Sequence, residues 1–124
     1  MSTKPVILVV DDDLPILTLM RNLLREFGFE ARVANTGAAA LEAVRETMPD
    51  LVLLDKNMPG MSGTDVIQAL RREGGIAHVP VFILSGEPVE PEELARLGAA
   101  GAVMKPFDVM ELVERIRAHV GVAR

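Results

Sequence analysis

The sequence contains no cysteine, tryptophan or tyrosine, and only 3% of its 124 residues are aromatic. Without cysteine the chain can form neither a disulfide nor a zinc-thiolate site, and it has no thiol nucleophile. The scarcity of rings means that the core has to be built from aliphatic side chains. No apolar run approaches membrane-spanning length and residues 1–5 lack the features of a signal peptide, so we expect a cytoplasmic protein that does not insert into membranes.

Positive charge is also scarce, since 13 lysine and arginine residues stand against 18 acidic residues and give a formal net charge of -5 at pH 7. Nucleic-acid affinity comes largely from clustered basic side chains, so we expect no direct nucleic-acid partner. A length of 124 residues suits one domain. We therefore expect residues 1–124 to form a single domain without an output domain.

Apolar runs alternate with amphipathic stretches along the whole chain, which predicts five strands and five helices. The predicted strands are Val6–Val10, Ala31–Ala34, Leu51–Leu54, Val81–Leu84 and Gly101–Met104. Such alternation is typical of a parallel sheet covered by helices on both faces. We predict an α/β, doubly wound (βα)5 fold with the strand order 2-1-3-4-5.

Helix start and stop signals support this pattern. Residues that cap helices precede four of the amphipathic stretches, at Asp13, Thr36, Ser62 and Asp108. In the second stretch, helical spacing predicts that Val44 and Met48 face inward. In the fourth, Pro91 suits the first turn and Gly98 suits the stop, so this helix should be short.

Polar residues stand where four of the predicted strands end, namely Asp11 and Asp12, Asp55, Ser85 and Lys105. Because the carboxyl ends of parallel strands share one edge of the sheet, these side chains should meet there. Carboxylates packed so closely repel one another and raise each other's pKa unless a cation is present. Mg²⁺ takes oxygen ligands, so we predict that Asp11, Asp12, Asp55 and the backbone carbonyl of Asn57 bind it.

A phosphoryl group at this edge could bridge the metal, Lys105 and the Ser85 hydroxyl, with Asp55 as a candidate nucleophile. Taken singly, the same residue types have ordinary roles. Asp13 can simply begin a helix, and Ser85 before Gly86 is typical of a turn. Their joint placement at strand ends favours the metal and phosphoryl site.

Three motifs together resemble the receiver domain of two-component response regulators. They are VVDD at 9–12, LD at 54–55 followed by NMPGMSG at 57–63, and LS at 84–85 with KPF at 105–107. The resemblance covers nearly the whole chain and extends to single-domain chemotaxis regulators. It implies a flavodoxin-like fold and a phosphorylation-dependent switch in a phosphorelay, which is not an enzyme.

The resemblance also implies partners and metal ligands. Asp55 would accept a phosphoryl group from a sensor histidine kinase or a phosphotransfer protein, and a downstream protein target would bind the changed form. Asp12 would be a direct Mg²⁺ ligand, Asp11 would act mainly through water, and Asn57 would give its backbone carbonyl.

The remaining roles concern the phosphoryl group itself. Lys105 would contact it, and Ser85 would be the hydroxyl that moves to bind it. The peptide bond before Pro106 would be cis, as is common in such domains.

Two departures from the family pattern bear on signalling. Ala102 occupies the place where the family usually has an aromatic residue that swings inward, so a rotating ring cannot couple the site to the surface. The segment from Ser85 to Gly98 is about two residues shorter than the family pattern, which again predicts a short fourth helix. We expect activation to shift the loop and helix after Ser85 instead.

Three other functions fit parts of the pattern. A flavodoxin-like electron carrier would share the architecture, but the acidic loop at 11–13 would repel its phosphate. An aspartate-nucleophile phosphatase would carry its nucleophile at the end of the first strand. A phosphorylation-independent, receiver-like interaction module would keep the fold, and Ala102 gives that alternative some support.

Overall fold

A computed structural model describes residues 4–58, 60–73, 75 and 78–120 of the chain. Strands and helices alternate through these ranges in the following order: Val6–Val10 (β1), Leu14–Glu26 (α1), Glu30–Ala34 (β2), Gly37–Glu46 (α2), Leu51–Asp55 (β3), Asn57–Met58 (β4), Met61–Ser62 (β5), Gly63–Glu73 (α3), Val81–Ser85 (β6), Pro91–Leu97 (α4), Gly101–Met104 (β7) and Val109–Val120 (α5). The predicted α/β alternation is confirmed. The short hairpin of β4 and β5 was not predicted, because two-residue strands leave no periodic signal.

The main sheet has five parallel strands in the order β2-β1-β3-β6-β7. Counted within this sheet, the order is the predicted 2-1-3-4-5. The register aligns Val10 with Leu54, and Asp55 with Leu84. The carboxyl ends of the central strands therefore lie side by side at one edge.

Each face of the sheet carries its own aliphatic core. Odd-numbered residues of β1, such as Ile7 and Val9, pack with the buried side chains of α1 and α5. Even-numbered residues, such as Leu8 and Val10, pack with those of α2 and α3. Since side chains alternate along a strand, a nearly continuous apolar run fills both cores at once.

The predicted helix caps are present. Side-chain oxygens of four residues accept the backbone N–H three positions later, at distances of 2.9 to 3.2 Å, in Asp13, Thr36, Ser62 and Asp108. The prediction for Met48 is wrong, because α2 ends at Glu46 and Met48 is 50% exposed. The apolar spacing on which the prediction rested continues past the residue at which the helix ends.

The fourth helix is short, as predicted. It covers Pro91–Leu97, with proline in its first turn and Gly98 in the left-handed conformation at a φ of 73°. The peptide bond between Lys105 and Pro106 is cis, also as predicted. Among the residues that the structure describes, no helix has the length and hydropathy needed to cross a membrane.

Candidate functional site: an acidic cluster at the carboxyl edge of the sheet

Three carboxylates meet at the carboxyl edge of the central strands. One oxygen each of Asp11, Asp12 and Asp55 can be chosen so that all three lie within 4.8 Å of one another. Asp11 is 1% exposed and Asp55 is 9% exposed, whereas Asp12 is open to solvent. The cluster therefore has a buried base and an open side through which an ion or a substrate can enter.

Backbone hydrogen bonds hold Asp11 and Asp55 in place. The Asp11 N–H donates to the carbonyl of Ala34 at 3.1 Å, which extends the pairing of β1 with β2 by one residue. Its carboxylate accepts the N–H of Asp13 at 3.0 Å. Asp55 is the last residue of β3 and pairs with Leu84 of β6. Both carboxylates are thus fixed by the sheet rather than by a flexible loop.

Lys105 joins the two buried carboxylates. Its Nζ lies 2.9 Å from Asp11 Oδ2 and 3.0 Å from Asp55 Oδ1. The backbone N–H of Lys105 donates to the carbonyl of Ser85 at 2.7 Å, so this lysine lies at the same edge, directly after β7. Three carboxylates against one ammonium leave an excess of negative charge, which suits an additional cation.

The electrostatics of the cluster appear in two pKa shifts. Burial raises the pKa of Asp55 above 3.8, and the charge of Asp11 adds to this, although the hydrogen bond from Lys105 opposes it. For Lys105, partial burial lowers the pKa, but hydrogen bonds to Asp11 and Asp55 outweigh it and raise the pKa above 10.5. Lys105 therefore remains charged at neutral pH. Ionisation of Asp55 costs more free energy here than it does for an aspartate in water.

Residues 7–117 match the family model described as the response regulator receiver domain. The chain belongs to this receiver domain family. Receiver domains are phosphoacceptor switches of two-component systems, they work with histidine kinases, and they are generally not enzymes. The fold, the family and this class of function, all expected from the sequence, are confirmed.

Three similar proteins illustrate the match. The DNA-binding response regulator MtrA of Mycobacterium tuberculosis is 44% identical over 116 residues, which are 92% of this chain and 50% of MtrA. The transcriptional regulatory protein PrrA of the same species is 42% identical over 118 residues, or 94% of this chain and 50% of PrrA. The chain spans about half the length of these curated relatives.

The third is a solved structure, the chemotaxis protein CheY4 of Vibrio cholerae. It superposes with a TM-score of 0.87 at 28% identity and covers 94% of this chain and 99% of CheY4. Membership of the receiver domain family argues against the two alternative functions that belong to other families, the electron carrier and the aspartate-nucleophile phosphatase.

Ser85 lies at the same edge but is engaged elsewhere. Its buried hydroxyl donates to the carbonyl of Glu87 at 2.7 Å and accepts the N–H of Glu87 at 3.1 Å. The turn role that its sequence context suggested is therefore the one seen here. Asn57 lies just beyond Asp55 as the first residue of β4, paired with Ser62.

Two features near the site were not found from the sequence. Lys56 Nζ lies 3.2 Å from Glu93 Oε1 and so ties the residue after Asp55 to α4. On the other side of Lys105, an apolar groove of about 430 Å³ runs between α1 and the start of α5, lined in part by Leu19 and Phe107. Leu19 could have indicated the groove, because it is a large apolar residue that lies exposed. The sequence carries no signal for the ion pair, because its two charged residues are 37 positions apart.

Proposed function

We propose that Asp55 is the phosphoacceptor of this receiver domain and that Mg²⁺ binds at Asp11, Asp12, Asp55 and the backbone carbonyl of Asn57. The observation that carries this proposal is the group of three carboxylates within 4.8 Å, two of them fixed by the sheet. Carboxylate oxygens on an open, negatively charged edge are the donor set that suits Mg²⁺. When bound, the ion would neutralise negative charge beside the transferred group.

The proposed reaction is a transfer from phosphohistidine. A carboxylate oxygen of Asp55 attacks phosphorus, the bond between phosphorus and the imidazole nitrogen breaks, and the imidazole keeps the electron pair. The product is an acyl phosphate on Asp55. Lys105, already 3.0 Å from Asp55, would pair with an oxygen of the phosphoryl group and offset its charge.

Ser85 would complete the switch. To bind a phosphoryl oxygen, its hydroxyl has to give up its hydrogen bond to the Glu87 carbonyl, because it has a single proton to donate. Phosphorylation would therefore alter the turn that leads into α4. We propose that a downstream protein target recognises this altered surface.

We propose that the donor is a sensor histidine kinase or phosphotransfer protein and that the chain works in the cytoplasm. The apolar groove supports a protein donor, because Lys105 lines it and so connects it to the acidic cluster. An apolar ridge on the donor would cover the groove while its phosphohistidine reaches Asp55. The net charge of -5 favours protein contacts for these residues over direct binding to nucleic acid.

Acetyl phosphate with Mg²⁺ tests the phosphoacceptor. Intact-mass spectrometry should show the gain of one phosphoryl group on the wild-type protein and none on Asp55→Asn. Asp13→Asn is the matched control, since Asn caps α1 as well as Asp does and Asp13 lies outside the cluster. Phosphorylation of Asp55→Asn, or its absence from a folded wild-type protein, would overturn the proposal in favour of a phosphorylation-independent interaction module.

A further inference from the structure

The two ends of α4 are held by different contacts. At the C-terminal end, Gly98 is left-handed, Arg71 Nη2 donates to its carbonyl at 2.8 Å, and Leu97 is buried. At the N-terminal end, Glu90 stands in the capping position but makes no side-chain capping hydrogen bond within the described residues. The C-terminal end is therefore anchored by a polar contact, whereas the first turn lacks a side-chain cap.

The first turn has a polar contact of another kind, the ion pair between Glu93 and Lys56. The Oε1 and Nζ atoms are 3.2 Å apart, and the side chains are only 27% and 24% exposed. Arg96 is a weaker partner of Glu93, at 3.9 Å and 73% exposed. The backbone of Lys56 is itself fixed, since its N–H donates to the carbonyl of Leu84 at 2.9 Å. The ion pair thus connects the first turn of α4 to the end of the central sheet, next to Asp55.

The Ser85 hydroxyl stabilises the turn that leads into α4. It closes this turn at Glu87 through one donated and one accepted hydrogen bond. If the hydroxyl turns to donate to a phosphoryl group on Asp55, it gives up its hydrogen bond to the Glu87 carbonyl, and the turn that leads into α4 loses that support. The ion pair to Lys56 then becomes the main polar contact that resists movement of the first turn.

We propose that the Lys56–Glu93 ion pair is a brace that holds α4 in the unphosphorylated arrangement, and that the first turn of α4 swings about its anchored C-terminal end on phosphorylation. This inference rests on the proposed role of Asp55. Ala102 packs against the same core as Leu94 and Leu97 beneath α4, and its methyl group cannot act as a rotating ring. The brace supplies a connection between the site and α4 that needs no aromatic residue.

Linkage gives the brace a measurable consequence. A contact made only in the unphosphorylated state opposes activation, so removing it should favour the activated state by the same factor. Beryllofluoride with Mg²⁺, a non-covalent mimic of the phosphoryl group, can be titrated against amide NMR signals. We expect Lys56→Met and Glu93→Gln each to bind it about two- to fivefold more tightly than wild type, as a partly exposed ion pair allows.

The double variant and an unliganded measurement sharpen the test. Lys56→Met combined with Glu93→Gln should bind no more tightly than either single variant, because all three lose the same contact. Without ligand, the backbone amides of residues 94–97, which can form helical hydrogen bonds, should exchange about two- to fivefold faster in these variants, in line with the lost contact. Glu92→Gln, an exposed carboxylate in the same turn, should behave like wild type.

Each contrary result has a distinct meaning. Unchanged affinity in folded variants of a protein that binds beryllofluoride would overturn the brace and leave the phosphoacceptor role intact. An effect of Lys56→Met without one of Glu93→Gln, or additive effects in the double variant, would also overturn it, because the two side chains would then not act through their mutual contact. A wild-type protein that fails to bind beryllofluoride would overturn the proposed function and the brace together.

Discussion

Lys105 is expected to be the main electrostatic support of the resting site, and Lys105→Met tests this directly. The ammonium lies 2.9 and 3.0 Å from carboxylates whose side chains are 1% and 12% exposed. With an effective dielectric constant of about 20, each contact has a Coulomb energy of roughly 5 kcal/mol before the desolvation cost is subtracted. Since Lys105 is itself 24% exposed, we expect a net loss of about 2–4 kcal/mol at neutral pH.

The assay is urea unfolding followed by far-ultraviolet circular dichroism, because the protein has no tryptophan or tyrosine to report by fluorescence. Lys56→Met is the matched control. Lys56 is also 24% exposed, but its carboxylate partner Glu93 is 27% exposed. That substitution should cost no more than about 1 kcal/mol. Both variants replace a lysine of equal exposure by methionine, so the packing that is lost is similar. The difference between their losses therefore measures the effect of the two buried carboxylate partners of Lys105.

The pH dependence gives a second check. The pKa of Asp55 is raised above 3.8, so its ionised form costs stability at neutral pH, and this cost is recovered as pH falls through the folded pKa toward the unfolded one. Lys105 has a raised pKa, so its stabilising charge is fully present below pH 10.5 and is lost only as pH rises through the folded pKa. Removing Lys105 raises the pKa of Asp55 further, so the stability deficit of Lys105→Met should shrink as acid protonates Asp55.

We therefore expect the difference in unfolding free energy between wild type and Lys105→Met to be clearly smaller at about pH 4.5 than at pH 7. An equal loss at both pH values, or an equal loss for Lys56→Met, would refute the reasoning. Either result would mean that the ion pairs of Lys105 with two buried carboxylates are not the source of the loss.

Three further outcomes are expected. Mg²⁺ at ten times its dissociation constant should stabilise the wild-type protein by about 1.4 kcal/mol, and this gain, measured by thermal unfolding and reversed by a chelator, should be lost in Asp12→Ala. Leu19→Glu, in the apolar groove, should slow phosphotransfer from a histidine kinase but leave the rate with acetyl phosphate unchanged; equal slowing of both would argue against the groove as the donor contact. Asp108→Ala should cost about 1 kcal/mol in chemical denaturation and Asp108→Asn much less, since Asn can also cap α5; equal losses would contradict the capping role.

Much of the fold followed from local patterns. Continuous aliphatic runs such as Val6–Val10 predict strands buried on both faces, and Pro91 and Gly98 bracket a short helix. The error at Met48 arose where the helical spacing outlasted the helix itself. The convergence of Asp11 and Asp55 also followed, because parallel strands bring their carboxyl ends to one edge.

The sequence by itself determined the strands of the main sheet, the helix caps and the gathering of acidic residues, since each depends on periodicity, capping chemistry or the handedness of parallel connections. Only the tertiary structure decided which polar groups are bonded to which. Lys105 could have faced solvent, Ser85 could have met Asp55 directly, and Lys56 could have had no partner on α4. Those choices depend on distances of a few ångströms between segments far apart in the chain, and such distances are set by the packing of whole helices and strands.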